Sequence, residues 1–252
     1  MKSWWKKPLF FVGLIALWWL AAHAGPWPNY MLPGPEKVLH NLIHGFKNLV
    51  YVRGIVISLR RIFIGFGISV ALGLPLGLLT GKVRWLDETM GALMLGLQTL
   101  PSICWLPLAI LWFGLNERAI LFVVVMGAML SIALAADSGV KNIPPIHLRA
   151  GKNLGAKGFA LFANVILPAA LPSIMSGLKL GWSFAWRSLM AGELIFVSLG
   201  LGHLLMMDRE LNDMSQVVGV MVILIGIGLF FDRLVFSRCE GAIRRRWGLD
   251  RA

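Results

Sequence analysis

The chain has 252 residues, 58% of them hydrophobic and 14% charged, with a mean hydropathy of +0.75. Soluble domains carry about 45–50% apolar and about 25% charged residues, so the composition excludes an ordinary soluble domain. The net charge of +12, from 24 Lys and Arg against 12 Asp and Glu, sits beside apolar runs. It reads as membrane topology and contact with anionic lipid, not as nucleic-acid binding.

Six apolar runs follow in order, at about 8–24, 62–80, 90–113, 119–136, 171–197 and 217–236. Each is near the length that crosses about 30 Å of hydrocarbon, and six of them leave no length here for a catalytic domain. Lipid offers the backbone no hydrogen-bond partner, so each run is predicted to be helical. The expected fold class is therefore an all-α membrane protein with about six transmembrane helices.

The first run admits two readings. Lys2, Lys6 and Lys7 precede it and Ala22-His23-Ala24 ends it, as in a cleaved signal peptide, whereas Trp18 and Trp19 resemble the interfacial anchor of a retained helix. Leu32-Pro33-Gly34-Pro35 is a predicted turn. Val38, Leu39, Leu42, Ile43, Phe46 and Leu49 then recur at helical spacing, an amphipathic segment on the membrane surface or against the bundle. His40 and His44 share its face at i, i+4, but no third ligand is in view, so a structural role is expected and no metal site. Gly73, Pro75 and Gly77 in the second run permit close helix approach, and Pro101 with Pro107 predicts that the third run is kinked or broken near its middle.

Lys and Arg placement orients the chain. With the N-terminus inside, the inside segments 1–7, 81–89, 137–170 and the tail hold most of the cations, while the connections after the third and fifth runs hold only Arg118 and Arg209. Segment 25–61, with Lys37, Lys47, Arg53, Arg60 and Arg61, is the exception on the outside. Parity retains it there, because the opposite choice would expel the basic 137–170 segment and the tail.

Residues 137–170 are too polar to span and too long for a simple connector. Pro144-Pro145 breaks the preceding helix. Leu148, Gly151 and Leu154 then lie at helical spacing, and Gly155 is placed as a C-cap glycine. A second short piece carries Phe159, Phe162 and Ile166 on one face, and Pro168 is expected to close it. Two short helices with a glycine between them, decorated by Arg149, Lys152 and Lys157, would suit a cleft on another protein; a re-entrant or interfacial loop is the alternative.

Arg149-Ala150-Gly151, three residues, Gly155, nine residues, then Val165-Ile166-Leu167-Pro168 resembles the cytoplasmic EAA loop of ABC-importer permeases. The departure is Arg149, where the family usually has Glu. Ser58-Leu59-Arg60-Arg61 with Gly65-Phe66 is similar to the family's entry into its first core helix, and Gly192-Glu193 with Gly200-Leu201-Gly202 to the end of the helix after the loop. Leu100-Pro101, Trp105-Leu106-Pro107-Leu108 and Leu111-Trp112-Phe113-Gly114 resemble the kinked helix of the nitrate/sulfonate/taurine-type branch.

The resemblance implies a type I ABC importer permease fold with cytoplasmic coupling helices. Residues 1–60 would form an N-terminal helix plus an external amphipathic segment, 61–240 the core with its coupling loop at about 141–170, and 241–252 a basic tail. It implies ATPase subunits as partners, a second permease copy as a homodimer, and a periplasmic or lipid-anchored binding protein, in a bacterial inner membrane. ATP and Mg would belong to the ATPase. In agreement, the sequence contains no G-x-x-x-x-G-K-[ST] phosphate loop, so coupling would be mechanical. The branch implies small oxyanions such as nitrate, sulfonates, taurine or bicarbonate, with pyrimidine-type vitamin precursors as the alternative cargo.

Charged and polar residues inside spans are functional candidates by default. Gln98, Thr99 and Ser102 beside Pro101 either line the path or hold helices together. Arg187 suits an oxyanion or pairs with Glu193 or Asp208 across a dimer, and Glu193 is a further path candidate. Lys179 is placed to snorkel, and Asp137 to cap the fourth helix. A secondary carrier would show inverted repeats and paired broken helices, and an embedded enzyme would cluster His, Asp or Glu in its spans; neither pattern is visible.

Overall fold

The structure is a computed structural model that describes residues 6–28, 30–195 and 198–246; Lys2 and Arg251, read above as topology signals, lie outside the described residues. No strand occurs among the described residues. The chain runs α1 Lys6–Ala24, α2 Pro35–Lys47, α3 Val50–Lys82, α4 Arg84–Leu86, a π-turn Asp87–Gly91 and α5 Ala92–Gln98. A 3-10 turn Ser102–Trp105, α6 Leu106–Phe113, α7 Glu117–Lys141, α8 Pro145–Asn153 and α9 Gly158–Leu161 follow. A π-turn Phe162–Ile166, α10 Leu167–Ile195, α11 Leu201–Glu210, α12 Met214–Phe231, a π-turn Asp232–Phe236 and α13 Ser237–Arg246 complete it.

Four helical stretches are long and apolar enough to cross a membrane: Val50–Lys82, Glu117–Lys141, Gly158–Ile195 and Met214–Ile243. The pair Arg84–Gln98 and Ser102–Phe113, bent by 103°, brings the count to as many as five. Over their described residues the six apolar runs are thus helical, but the third is a broken pair and the first, Pro8–Ala24, is a shorter apolar helix. The number six is approximate for that reason.

Contacts divide the chain into two compact units, Met1–Ser58 with Val197–Gly226, and Leu59–Phe196 with Ile227–Ala252. In the first unit, Pro35 opens α2, where a missing N–H costs nothing. Trp18 donates its indole N–H to the Pro33 carbonyl at 3.1 Å. Val38 is buried while Leu39 and Ile43 stay exposed, so the α2 apolar face is only partly covered. Asn41 donates to the Ser215 hydroxyl at 2.6 Å, and the Leu201 N–H donates to Ser58 Oγ at 2.9 Å. Asp213 caps α12 by accepting from the N–H groups of Ser215 and Gln216 at 3.1 and 3.3 Å.

The second unit is built around α7. Ile120, Val123, Val124 and Ile132 on it are buried with Ile62, Leu106, Leu189 and Trp182 from its neighbours. Helix α10 runs antiparallel to it, since Gly127 meets Ser188, Ala135 meets Gly177 and Gly139 meets Ser173. Helix α3 runs parallel to it on a stripe of small residues. A Cβ on Gly73, Gly77 or Gly81 would stand 2.6, 2.0 and 2.9 Å from the carbonyl oxygens of Met129, Ala133 and Asp137. Small residues let backbones touch where lipid supplies no hydrophobic drive to associate.

Two boundaries differ from the sequence reading. Pro168 does not close the second short piece: the chain stays helical from Gly158 to Ile195. The π-turn Phe162–Ile166 immediately before it widens the backbone, which leaves room for a residue that lacks an N–H and crowds the preceding turn. Helix α3 begins at Val50, not at Ile62. Its 33 residues extend about 50 Å, so Arg60 and Arg61 belong to a helix and not to a loop.

Candidate functional site

The break between α5 and α6 arises from local chemistry. The Thr99 and Leu100 N–H groups reach back only three residues, to Gly96 and Leu97 at 3.2 Å each, and Pro101 has no N–H to continue the ladder. Pro101 takes an extended conformation, φ −54° and ψ 138°, and the Cys104 N–H then bonds the Pro101 carbonyl at 2.9 Å to open the next helical turn. Irregular backbone at membrane depth is tolerated only when buried in protein or lining a wet cavity.

A cavity lies at the break. A hollow of about 310 Å³ is lined by Gln98, Thr99 and Ser102 at the break, by Ser131 and Gly127 of α7, and by Phe184 and Arg187 of α10. Gln98 Nε2 donates to Ser131 Oγ at 3.3 Å, which fixes the amide on the wall. The Arg187 guanidinium carbon lies 5.2 Å from the Phe184 ring centroid, and no carboxylate pairs with it among the described residues. A cation on the wall of a cavity, with no carboxylate partner among the described residues, offers planar, paired donors to an oxyanion. Four of the five path candidates therefore come together.

Glu193 is placed elsewhere. It is fully buried at the far end of α10, where its Oε1 accepts from Arg61 Nη1 at 2.9 Å. Arg61, 4% exposed, also donates from Nε to Glu117 Oε1 at 3.3 Å. Arg187 does not pair with Glu193 within the chain. The signal for Arg61 is present in the sequence: Ile55-Val56-Ile57 precedes it and Ile62-Phe63-Ile64 follows, so an apolar helix runs through the charges. Ser58, Ile62, Gly65 and Ser69, at helical spacing, are the buried stripe that includes it.

At the opposite end of α7, the 141–170 segment is ordered by its own caps. The Gly155 N–H bonds the Lys152 carbonyl and the Ala156 N–H the Gly151 carbonyl, both at 3.0 Å, with Gly155 at φ +85°. This is a Schellman ending, which favours glycine at that position. Gly151 is buried against Val165 and Leu161, and Arg149 and Ala150 face outward. Leu167 and Pro168 lie in the first turn of α10. Leu154 and Phe159 are 88% and 80% exposed. Lys141, which ends α7, bridges Asp87 and Asp137, the latter at 2.7 Å.

Residues 73–237 match the family profile described as the binding-protein-dependent transport system inner membrane component. A Methanocaldococcus jannaschii protein named as an ABC transporter permease is 36% identical, over 81% of this chain and 78% of its own. An Escherichia coli protein named as an aliphatic sulfonates transport permease is 34% identical, over 92% and 89%. Among solved structures, the inward-facing MetNI methionine ABC transporter shares the fold with a TM-score of 0.69 at 21% identity, over 78% of this chain and 97% of the other.

Proposed function

Because the chain belongs to the binding-protein-dependent transport system inner membrane component family, in its nitrate/sulfonate/taurine-type branch, we propose that it lines half of an importer's path for a small oxyanion. The observation that carries this reading is Arg187, which lines the cavity at the helix break with no carboxylate partner among the described residues. A sulfonate or nitrate group can accept from its guanidinium, with Ser102 and Gln98 supplying neutral donors. The exposed stripe Ser176, Leu180, Ser183 and Arg187 on α10 supports a second copy across the path, since a guanidinium facing lipid would be costly.

The 141–170 segment is proposed to plug into a separate ATPase subunit, which holds ATP and Mg. Its support is an ordered, glycine-capped turn that presents Leu154 and Phe159 without cover. A binding protein would deliver the solute to the opposite face, and both termini would lie in the cytoplasm.

The test uses the complex assembled with its ATPase and binding protein in proteoliposomes, supplied with taurine, ethanesulfonate and nitrate. Arg187→Gln is expected to lower uptake of the transported anion at least about tenfold, the order of one lost charge-assisted bond, with basal ATP hydrolysis retained. Gly155→Asp should insert normally yet lose solute-stimulated ATP hydrolysis. Wild-type uptake in Arg187→Gln would overturn the path assignment, and normal coupling in Gly155→Asp the coupling assignment.

A further inference from the structure

Helix α10 borders a second hollow, of about 230 Å³, lined by Lys179, Trp182, Ser183, Trp186 and Arg187 together with Asp232. Arg187 is common to both cavities. Lys179 and Arg187 are two turns apart on one helix face, and Lys179 Nζ sits 2.8 Å from Asp232 Oδ1. The Ser183 hydroxyl donates to the Lys179 carbonyl at 3.2 Å, half-way between the two cations.

We propose that this hollow is a second binding station for the same small oxyanion, which passes from the helix break by way of Arg187 and is received by Lys179. The proposal rests on the oxyanion reading of the first cavity. The charges suit a station that must also release. Lys179, Arg187 and Asp232 sum to one positive charge, enough to attract an anion while Asp232 competes with it for the ammonium. Without Asp232 the two cations would hold an anion too firmly to let it leave, whereas conduction needs binding that is favourable and weak. One long, flexible guanidinium serves both hollows, so an anion can move between them without losing its partner. Trp182 and Trp186 form apolar parts of the second hollow's wall.

The test reads the local potential directly. In the assembled complex, with exposed Cys104 and Cys239 replaced by serine, Ser183→Cys and Ser102→Cys report the second and first cavities. Each is modified with a sulfonate-bearing and a trimethylammonium-bearing methanethiosulfonate of similar size, and the ratio of the two rates is measured. At Ser183→Cys, Asp232→Asn should raise the anion-to-cation ratio about tenfold and Lys179→Gln lower it about tenfold, for one unit charge at close range. The double variant restores the net charge and should return to the starting ratio, which keeps the test open if a single variant fails to fold. At Ser102→Cys both single variants should have little effect, and Arg187→Gln should lower the ratio. Ratios at Ser183→Cys that ignore Lys179 and Asp232, or a thiol there that neither reagent reaches, would overturn the station. A silent Arg187→Gln at Ser102→Cys would sink the first-cavity reading while the Lys179 and Asp232 results stand on their own.

Discussion

Buried charge carries the sharpest consequences at the scale of single residues. Arg61 and Glu193 tie α3 to the end of α10, and Glu117 adds the start of α7. Such a pair gains little over a well-packed apolar substitute, but losing one partner leaves a charge in low dielectric. Glu193→Ala is therefore expected to destabilise, by less than the roughly 3–5 kcal/mol of a wholly unpaired charge because Glu117 still accepts from Arg61, and Glu193→Gln less again, because its amide oxygen still accepts. Thermal unfolding in detergent would rank the two, and equal melting temperatures would refute the ordering. Asp208, in α11, behaves differently. Burial first, and the neighbouring Asp213 second, push its carboxyl up from 3.8 to about 6, and its Oδ2 has no hydrogen-bond partner among the described residues. The folded state then binds a proton that the unfolded chain has released, so stability falls as pH rises from about 4 to about 6 and is flat above. Wild type should melt higher at pH 5 than at pH 7.5, and Asp208→Asn should remove the difference.

Close approach decides the elements. Gly77 meets α7 at backbone distance, 2.0 Å from the Ala133 carbonyl to a built Cβ. No side-chain rotation relieves that contact, so Gly77→Val must separate α3 from α7. The expectation is a loss of several kcal/mol of packing, seen as a protein that inserts but is degraded or trypsin-sensitive, while Gly67→Val, with open space around its built Cβ, should be tolerated. Much of this was legible before the structure. Pro101 signals the broken helix because proline removes a backbone donor, and Gly155 the end of α8 because few other residues take a positive φ. What sequence could not supply was the partner of each polar group. Arg61 reads as a loop cation when a span is ended at its first charge, and only the approach of Glu193, 132 residues away, shows why a helix can bury it. Pro168 misleads for the converse reason, since the π-turn that admits it has no compositional mark.

For the whole molecule, the remaining question is which way the bundle faces. With Arg61 inside α3 and paired to carboxylates, one of the cations that opposed the proposed orientation ceases to be a loop charge. Neutralised, buried cations do not enter the balance of charge across a membrane in the way exposed loop cations do. The two ends of α7 then differ: the end at 114–118 carries the single cation Arg118, while the segment after the helix exposes Arg149, Lys152 and Lys157. Excess Lys and Arg retained on the cytoplasmic side should place the second end inside. In a background without Cys104 and Cys239, Lys152→Cys in intact cells should resist a membrane-impermeant maleimide and react only after permeabilisation. Leu115→Cys, exposed at the other end of α7, should react in intact cells. The reverse pattern would invert the orientation and put the proposed ATPase contact on the wrong side of the membrane, so this measurement bears on coupling as directly as any substitution in the segment itself.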